Sequence, residues 1–273
     1  MKRFYQFLFE ADIGQTRLTL LRAAAALAVV LPILFGAYSN FLFEAGSFLN
    51  EQPNVLTDLL FADWRRFVVL KVTCLIAALA FILPSSYRFA GPPFLLSFTI
   101  LDYLSFSVET RAWNFTTHLQ LFILLLMFGK SGRAQSSSLA SERNSFIVRA
   151  MQLTVCELYF QAGLSKLLYG GFEWAWSGDT LFVMTYFHGT AFGKALLPSK
   201  EVFALLSTYA LVFELSVPFL FYALKARAAF YALLIGFHLG TYLVLRVSFW
   251  QLFIFYPLLA VPIQPIKLGR WAE

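Results

Sequence analysis

The sequence is poor in charged residues. Asp, Glu, Lys and Arg together make up 13% of the 273 residues, whereas 59% are hydrophobic. A soluble domain usually has about 25% charged and about 45–50% apolar residues, because it needs a polar surface to cover its core. The composition therefore excludes a water-soluble globular enzyme, and its apolar content excludes a disordered chain. It is typical of an all-α polytopic membrane protein.

Cysteine is also rare, and no cluster of basic residues is present. Cys74 and Cys156 each lie in an apolar run, where we expect packing residues rather than a disulfide or a metal site. The net charge is +6, but Lys and Arg occur in short gaps between apolar runs. Binding to nucleic acid requires them on one soluble face, so no nucleic-acid partner is expected.

The start of the sequence does not resemble a cleavable signal peptide. Lys2 and Arg3 are followed by a short aromatic stretch and then by charged residues, whereas a signal peptide continues into a longer apolar region. We expect residues 1–17 to form an interfacial segment on the inner membrane surface. Residues 263–273 are expected to form a short cytoplasmic tail.

The apolar runs predict a single bundle of seven to eight transmembrane helices, with eight preferred. A span needs about 20 mostly apolar residues, and the candidates are 18–38, 67–83, 93–109, 114–129, 147–168, 202–224, 228–245 and 248–264. With both termini inside, twelve of the 21 Lys and Arg residues fall in inner segments and six in outer ones. Cytoplasmic loops collect such residues, so the bias supports both the count and an N-in, C-in orientation. We expect the protein to lie in the bacterial plasma membrane.

Three connections between the predicted spans are long. Residues 39–66 are outer and acidic, and residues 130–146 are inner and polar, which favours a flexible loop. Residues 169–201 are outer and aromatic. Because this last segment is too apolar for a free aqueous loop, we expect it to pack over the helices at the outer leaflet.

Ionisable residues within the spans are functional candidates, because such side chains are costly in lipid. They are Lys71, Asp102, His118, Glu157, Lys166, Glu214 and His238. Each also has a structural interpretation. The lysines could extend to the membrane surface, and the histidines could be hydrogen-bonding packing residues. The glutamates could be bonded to other polar groups or to Arg22 across the bundle.

One predicted helix carries several polar groups on a single face. Gln152, Tyr159 and Lys166 recur at intervals of seven, and Gly163 lies beside them and leaves space. The face thus combines an amide, a phenol and an amine at the outer membrane boundary. A lysine that is partly desolvated there can act as a base in its neutral form.

The stretch YFQAGLSKL, from Tyr159 to Leu167, with Trp176 and Gly178 downstream, resembles the central motif of a known family. This is the HTTM (horizontally transferred transmembrane) domain family of vitamin K-dependent γ-carboxylase-like membrane proteins. Weaker similarity is found in the Arg-bearing first span, in residues 113–118 and in residues 237–257. The resemblance covers residues 12–262, which we expect to form an HTTM-like transmembrane domain.

The resemblance implies an enzyme that uses a reduced, vitamin K-like quinone to carboxylate a peptide or protein substrate at the outer face. The lysine that matches Lys166 is held to be the base that deprotonates the quinol. His118 and His238 match positions that could orient the quinol or stabilise oxyanions. Further contacts to substrate or quinone are expected from neighbouring polar and aromatic residues: Gln152, Tyr159, Gly163, Asp102, Trp174 and Trp176.

Two other functions remain open at this point. The full carboxylases carry a soluble region that binds the peptide substrate, and the resemblance does not include it. The chain could therefore be a non-enzymatic membrane component that helps to mature, export or assemble a partner. A transporter is a weaker alternative, because the sequence shows no pair of matching interrupted helices.

Overall fold

The computed structural model describes residues 15–35, 55–109, 115–130, 138–222, 227–245, 247 and 255–259. Every regular element in these ranges is helical, which confirms the all-α class. The helices are α1 (Gln15–Leu34), α2 (Val55–Phe61), α3 (Trp64–Ile82), α4 (Tyr87–Glu109), α5 (Phe115–Phe128), α6 (Ser138–Gly170), α7 (Glu173–Ser177), α8 (Asp179–His188), α9 (Ala191–Ala195), α10 (Lys200–Tyr222), α11 (Arg227–Leu245) and α12 (Phe255–Leu259).

The predicted spans coincide with helices wherever the structure describes them. Seven match α1, α3, α4, α5, α6, α10 and α11, and the five residues of α12 lie in the eighth, 248–264. By length and composition, two of the described helices could cross a membrane, Thr16–Leu34 and Lys200–Tyr222, and two apolar ones are shorter. The predicted tail, 263–273, and all but the last three residues of the segment 1–17 lie outside the described ranges.

Helix α6 differs most from the prediction. It begins at Ser138, so the second half of the expected flexible loop, 130–146, is helical instead. The cause is a tertiary contact made by the buried Asn144 side chain. Its Oδ1 accepts a hydrogen bond from the Lys130 backbone N–H (2.8 Å), and its Nδ2 donates to the Lys130 carbonyl (3.0 Å). This clamp satisfies backbone groups just after α5 and fixes the first turns of α6.

The contacts divide the chain into two compact units. The described residues of the first fall within 15–151 and 255–259. In it, α1 packs against α3 and α5, and α4 packs against α3 and α5. Its core includes Phe81, Phe94 and Phe98. The ring centroid of Phe94 lies 5.5 Å from that of Phe81 and 6.5 Å from that of Phe98.

A buried arginine holds the end of α5 in this first unit. The Arg22 guanidinium is fully buried and donates to the carbonyls of Leu126 and Gly129, each at 3.3 Å. It also lies 3.6 Å from the centroid of the Tyr87 ring, and the Tyr87 hydroxyl donates to the Gly129 carbonyl at 2.6 Å. Carbonyls at a helix C-terminus have no partner within the helix, so these donors supply what the helix lacks.

The described residues of the second unit fall within 152–249, and the unit is built around α10. The segment 169–201 forms the short helices α7, α8 and α9, which pack against α10 and α11. This confirms that the segment packs over helices rather than forming a free loop. Between α7 and α8, Gly178 has φ +65° and lies so close to the backbone of Phe203 and Ala204 that a Cβ atom would collide. Glycine is therefore required for this close approach.

Candidate functional site

The second unit brings Lys166 of α6 and Glu214 of α10 into an ion pair. The Lys166 Nζ lies 2.5 Å from the Glu214 Oε2 and 3.5 Å from the carbonyl oxygen of Ala162, one turn earlier in α6. The Lys166 side chain retains 25% of its exposure and that of Glu214 only 7%. Lys166 therefore turns toward α10 and its side chain is only partly buried, which differs from a lysine extended to a membrane surface.

Gly163 allows α6 and α10 to approach each other at this pair. A Cβ atom built on Gly163 would lie 3.0 Å from the Leu215 Cγ and 3.1 Å from the Glu214 Cβ. The space beside this glycine, expected from the sequence to admit a ligand, is thus filled by α10. A small residue at a helix–helix contact permits close packing, and here it sets the position of Glu214.

The two tryptophans after α6 have different environments. The Lys166 Nζ lies 5.4 Å from the centroid of the Trp174 ring, within the range of a cation–π contact. Trp174 is half-buried, whereas Trp176 is 65% exposed and stacks on Phe172 with ring centroids 5.8 Å apart. Trp174 therefore belongs to the site of Lys166, and Trp176 with Phe172 presents an aromatic surface to the surroundings.

A second polar couple lies on the same face of α6. The Tyr159 hydroxyl is 2.6 Å from the Nε2 atom of His238 on α11. Tyr159 is buried, and its ring meets those of Phe213 and Phe237 edge-on, with centroids 5.9 and 6.3 Å away. Tyr159 and Lys166 are seven residues apart, about 10 Å along the helix. The face predicted from the sequence thus carries two hydrogen-bonded couples, one to α10 and one to α11.

The other predicted site residues occupy several environments. Gln152 is fully buried on α6, where the second unit begins. Asp102 and His118 lie in the first unit, on α4 and α5. The Gln120 Nε2 donates to the Asp102 Oδ2 at 3.0 Å, and both Asp102 and His118 are half-buried.

The remaining ionisable candidates are less enclosed. Glu157 is exposed on α6. Lys71 is half-buried on α3, with its Nζ 5.1 Å from the centroid of the Phe67 ring. Among the described residues, no three His, Cys, Asp or Glu side chains form a group that could hold a metal ion.

An exposed ion pair joins the start of α8 to the start of α10. The Lys200 Nζ lies 2.8 Å from the Asp179 Oδ1, and both side chains are more than half exposed. The hydrogen bond from Lys200 lowers the pKa of the Asp179 carboxyl below its ordinary value. Because both groups are in contact with water, this pair fixes little beyond the local geometry.

Sequence reasoning named Glu214 and Lys166 separately but did not predict their contact. The two residues are 48 positions apart, and no spacing rule relates residues on different helices. Their shared signal is that each is an ionisable side chain inside an apolar run, which is costly unless paired. A comparison with family models, curated proteins and solved structures finds no match to this chain.

Proposed function

We propose that the chain is a multi-pass membrane protein of seven to eight spans. Support comes from apolar residues exposed along helix faces. Leu205, Val212 and Phe219, spaced by seven on α10, are 70%, 59% and 72% exposed. Val69 and Ile76 repeat the same spacing on α3 and are also more than half exposed. Continuous apolar stripes of this kind are rare on soluble proteins and are expected where helices face lipid.

We further propose that the protein is an acid–base enzyme of the HTTM type, with Lys166 as the base that acts on a reduced quinone. The contact between the Lys166 Nζ and the Glu214 Oε2 carries this proposal. An ammonium group must lose a proton before it can accept one, and Glu214 lies within direct transfer distance. The Lys166 side chain is partly exposed, as a residue that meets a substrate hydroxyl must be.

The residues around Lys166 fit a quinol. When bound, a reduced quinone supplies ionisable hydroxyl groups and an oxidisable ring. The Lys166 amine would accept a proton from a quinol hydroxyl, and the Glu214 carboxylate would take a proton from the Lys166 ammonium group. Trp174 closes one side of the amine, and the stacked pair of Phe172 and Trp176 offers an apolar aromatic surface nearby in the sequence.

In this mechanism, Tyr159 and His238 do not transfer protons to or from the Lys166 amine. They hold the helices around it in place. The hydrogen bond between Tyr159 and His238 fixes α11 against α6, about two turns from Lys166. The Gly163 contact fixes α10 against the same helix. Lys166 is thereby held at a junction whose geometry depends on three helices, which is the preorganisation that a proton transfer requires.

The same contacts favour a second function, a non-enzymatic membrane component that assists a partner protein. Two hydrogen-bonded couples that join α6 to α10 and α11 would stabilise the bundle with no chemistry at all. Under this alternative, any cation that preserves the ion pair preserves the function.

Substitution of Lys166 separates the two functions. The purified full chain in lipid nanodiscs is supplied with reduced menaquinone and oxygen, and quinol consumption is followed by chromatography. We expect Lys166→Arg to retain the fold and the ion pair but to lose activity by about 100-fold or more, because a guanidinium cannot act as a base. The matched control is Lys194→Ala, which removes an exposed lysine of α9 and should leave the rate unchanged.

Other outcomes would identify the non-enzymatic function. If wild type does not consume or bind the quinol, the enzymatic proposal fails. It also fails if Lys166→Arg consumes quinol at the wild-type rate. A cellular phenotype that survives Lys166→Arg but not Lys166→Ala would then assign the pair a purely structural role.

A further inference from the structure

A basic cavity lies in the first unit, whereas Lys166 and Glu214 belong to the second. Its volume is about 380 Å³, and it is lined by Arg88, Met127, Phe128, Lys130 and Arg143. Cavities that bind small ligands usually have about 300–1,000 Å³. Three of the five lining residues are cations and none is acidic, so the lining is basic.

The basic side chains come from three different elements that meet at this point. Arg88 lies in the first turn of α4, Lys130 follows the end of α5, and Arg143 lies in α6. Arg88 and Arg143 are exposed and Lys130 is half-buried. Like charges are brought together at a cost, so the fold must hold them there by other contacts.

Two hydrogen-bonded contacts provide that framework. The Arg88 Nε donates to the Tyr87 hydroxyl oxygen at 3.0 Å, and the Tyr87 hydroxyl donates to the Gly129 carbonyl at 2.6 Å. On the other side, the Asn144 side chain holds both backbone groups of Lys130. The backbone of Gly129 and Lys130 is therefore held by Tyr87 and Asn144, and the Arg88 side chain is oriented by the same tyrosine.

The cavity lining determines the chemical class of the ligand. Arg and Lys are the residues that bind phosphate, and Arg does so with two parallel hydrogen bonds. Three cations suit an anion with more than one negative charge or more than one phosphate oxygen. Met127 and Phe128 add an apolar part to the same lining, which suits a ligand that joins a phosphate to a hydrocarbon.

We propose that Arg88, Lys130 and Arg143 form a binding site for a phosphate-bearing anion. The membrane supplies such a group as the headgroup of an anionic phospholipid, and the aqueous phase supplies it as a free phosphate or phosphate monoester. The charge bias of the sequence assigns these three residues to the inner side, where basic pockets between helices bind lipid phosphates. The site is independent of Lys166 and of the reaction proposed for it.

The test uses the full chain in detergent and three probes: phosphatidylglycerol, inorganic phosphate and glycerol 3-phosphate. Native mass spectrometry counts bound phosphatidylglycerol, and the two soluble anions are added as competitors. The variants are Arg143→Gln, the double variant Arg88→Gln/Lys130→Gln, and the charge-preserving Arg143→Lys. Arg65→Gln is the matched control, because it removes an exposed arginine of the same unit that does not line the cavity.

We expect Arg143→Gln to weaken binding about tenfold and the double variant to weaken it further, because each removes a charge-assisted hydrogen bond. Arg143→Lys should keep most of the affinity, and Arg65→Gln should equal wild type. Displacement of the lipid by millimolar glycerol 3-phosphate would assign a free phosphate as the ligand, whereas resistance would assign the lipid. Wild-type binding by the double variant, or an equal loss in Arg65→Gln, would overturn the proposal.

Discussion

Removal of Lys166 alone tests the most consequential contact in the second unit. In Lys166→Met, the Glu214 carboxylate loses its counter-charge while its side chain remains only 7% exposed. Breaking a buried ion pair by deleting one partner costs about 3–5 kcal/mol. The variant can relieve the lone charge by protonating Glu214. For a carboxyl with the usual Glu pKa of about 4.3, protonation at pH 7 costs about 3.7 kcal/mol.

We therefore expect Lys166→Met to lower the free energy of unfolding by about 3 kcal/mol at pH 7, because the partial exposure of Lys166 keeps the loss below the upper limit. The assay is reversible unfolding in mixed micelles, titrated with sodium dodecyl sulfate and followed by circular dichroism. The double variant Lys166→Met/Glu214→Met removes both charges at similar volume. It should lie within about 1 kcal/mol of wild type, since replacing a whole buried pair is often neutral.

The single and double variants together isolate the contribution of the pair. Equal stability of Lys166→Met and the double variant would refute the buried pair.

Three further substitutions test other contacts with the same unfolding assay. Tyr159→Phe should lower the free energy of unfolding by about 1–2 kcal/mol, because the His238 Nε2 loses a buried partner. The control Tyr169→Phe, at a tyrosine that is 91% exposed, should not change it. Equal losses in the two variants would argue against the hydrogen bond between Tyr159 and His238. Asn144→Ala should cost about 2 kcal/mol or more, because it leaves a backbone N–H and a carbonyl without their side-chain partner, and wild-type stability would show that the clamp is dispensable. Gly178→Ala should cost about 2–4 kcal/mol, because both the positive φ and the nearby backbone oppose a Cβ atom; a neutral effect would mean that the backbone relaxes there.

The positions of the helices were predictable because they depend on local composition. Each long apolar run predicts a helix, and most described ends fall within a few residues of the prediction, as for 228–245 and α11, although α4 begins earlier than predicted, at Tyr87. The start of α6 was not predictable. Residues 138–146 are polar and look like a loop, and only the contact of Asn144 with a backbone fourteen residues earlier shows why they are helical.

The site was predictable in its members but not in its pairings. Ionisable residues in apolar runs identified Lys166, Glu214 and His238 as costly and therefore significant. Which of them meet depends on how each helix is rotated about its axis. The pattern of apolar and ionisable residues within one helix does not reveal how that helix faces its neighbours. The spacing of Gly163 correctly placed it beside the polar face, but only the packing of α10 shows that Glu214 and Leu215 fill the space it leaves.

The pairing of Lys166 with Glu214 has a consequence for biogenesis. On the proposed membrane placement, α6 leaves the ribosome and enters the bilayer before α10 has been made, because Glu214 follows Lys166 by 48 residues. A charge at the centre of a span costs about 2.5–3.5 kcal/mol at insertion, but Lys166 lies near the end of α6, where its amine can extend to the headgroups at a lower cost. Until α10 arrives, Lys166 must be held by the insertion machinery or near the headgroups. The ion pair of Lys166 therefore forms only after a later part of the chain has been synthesised.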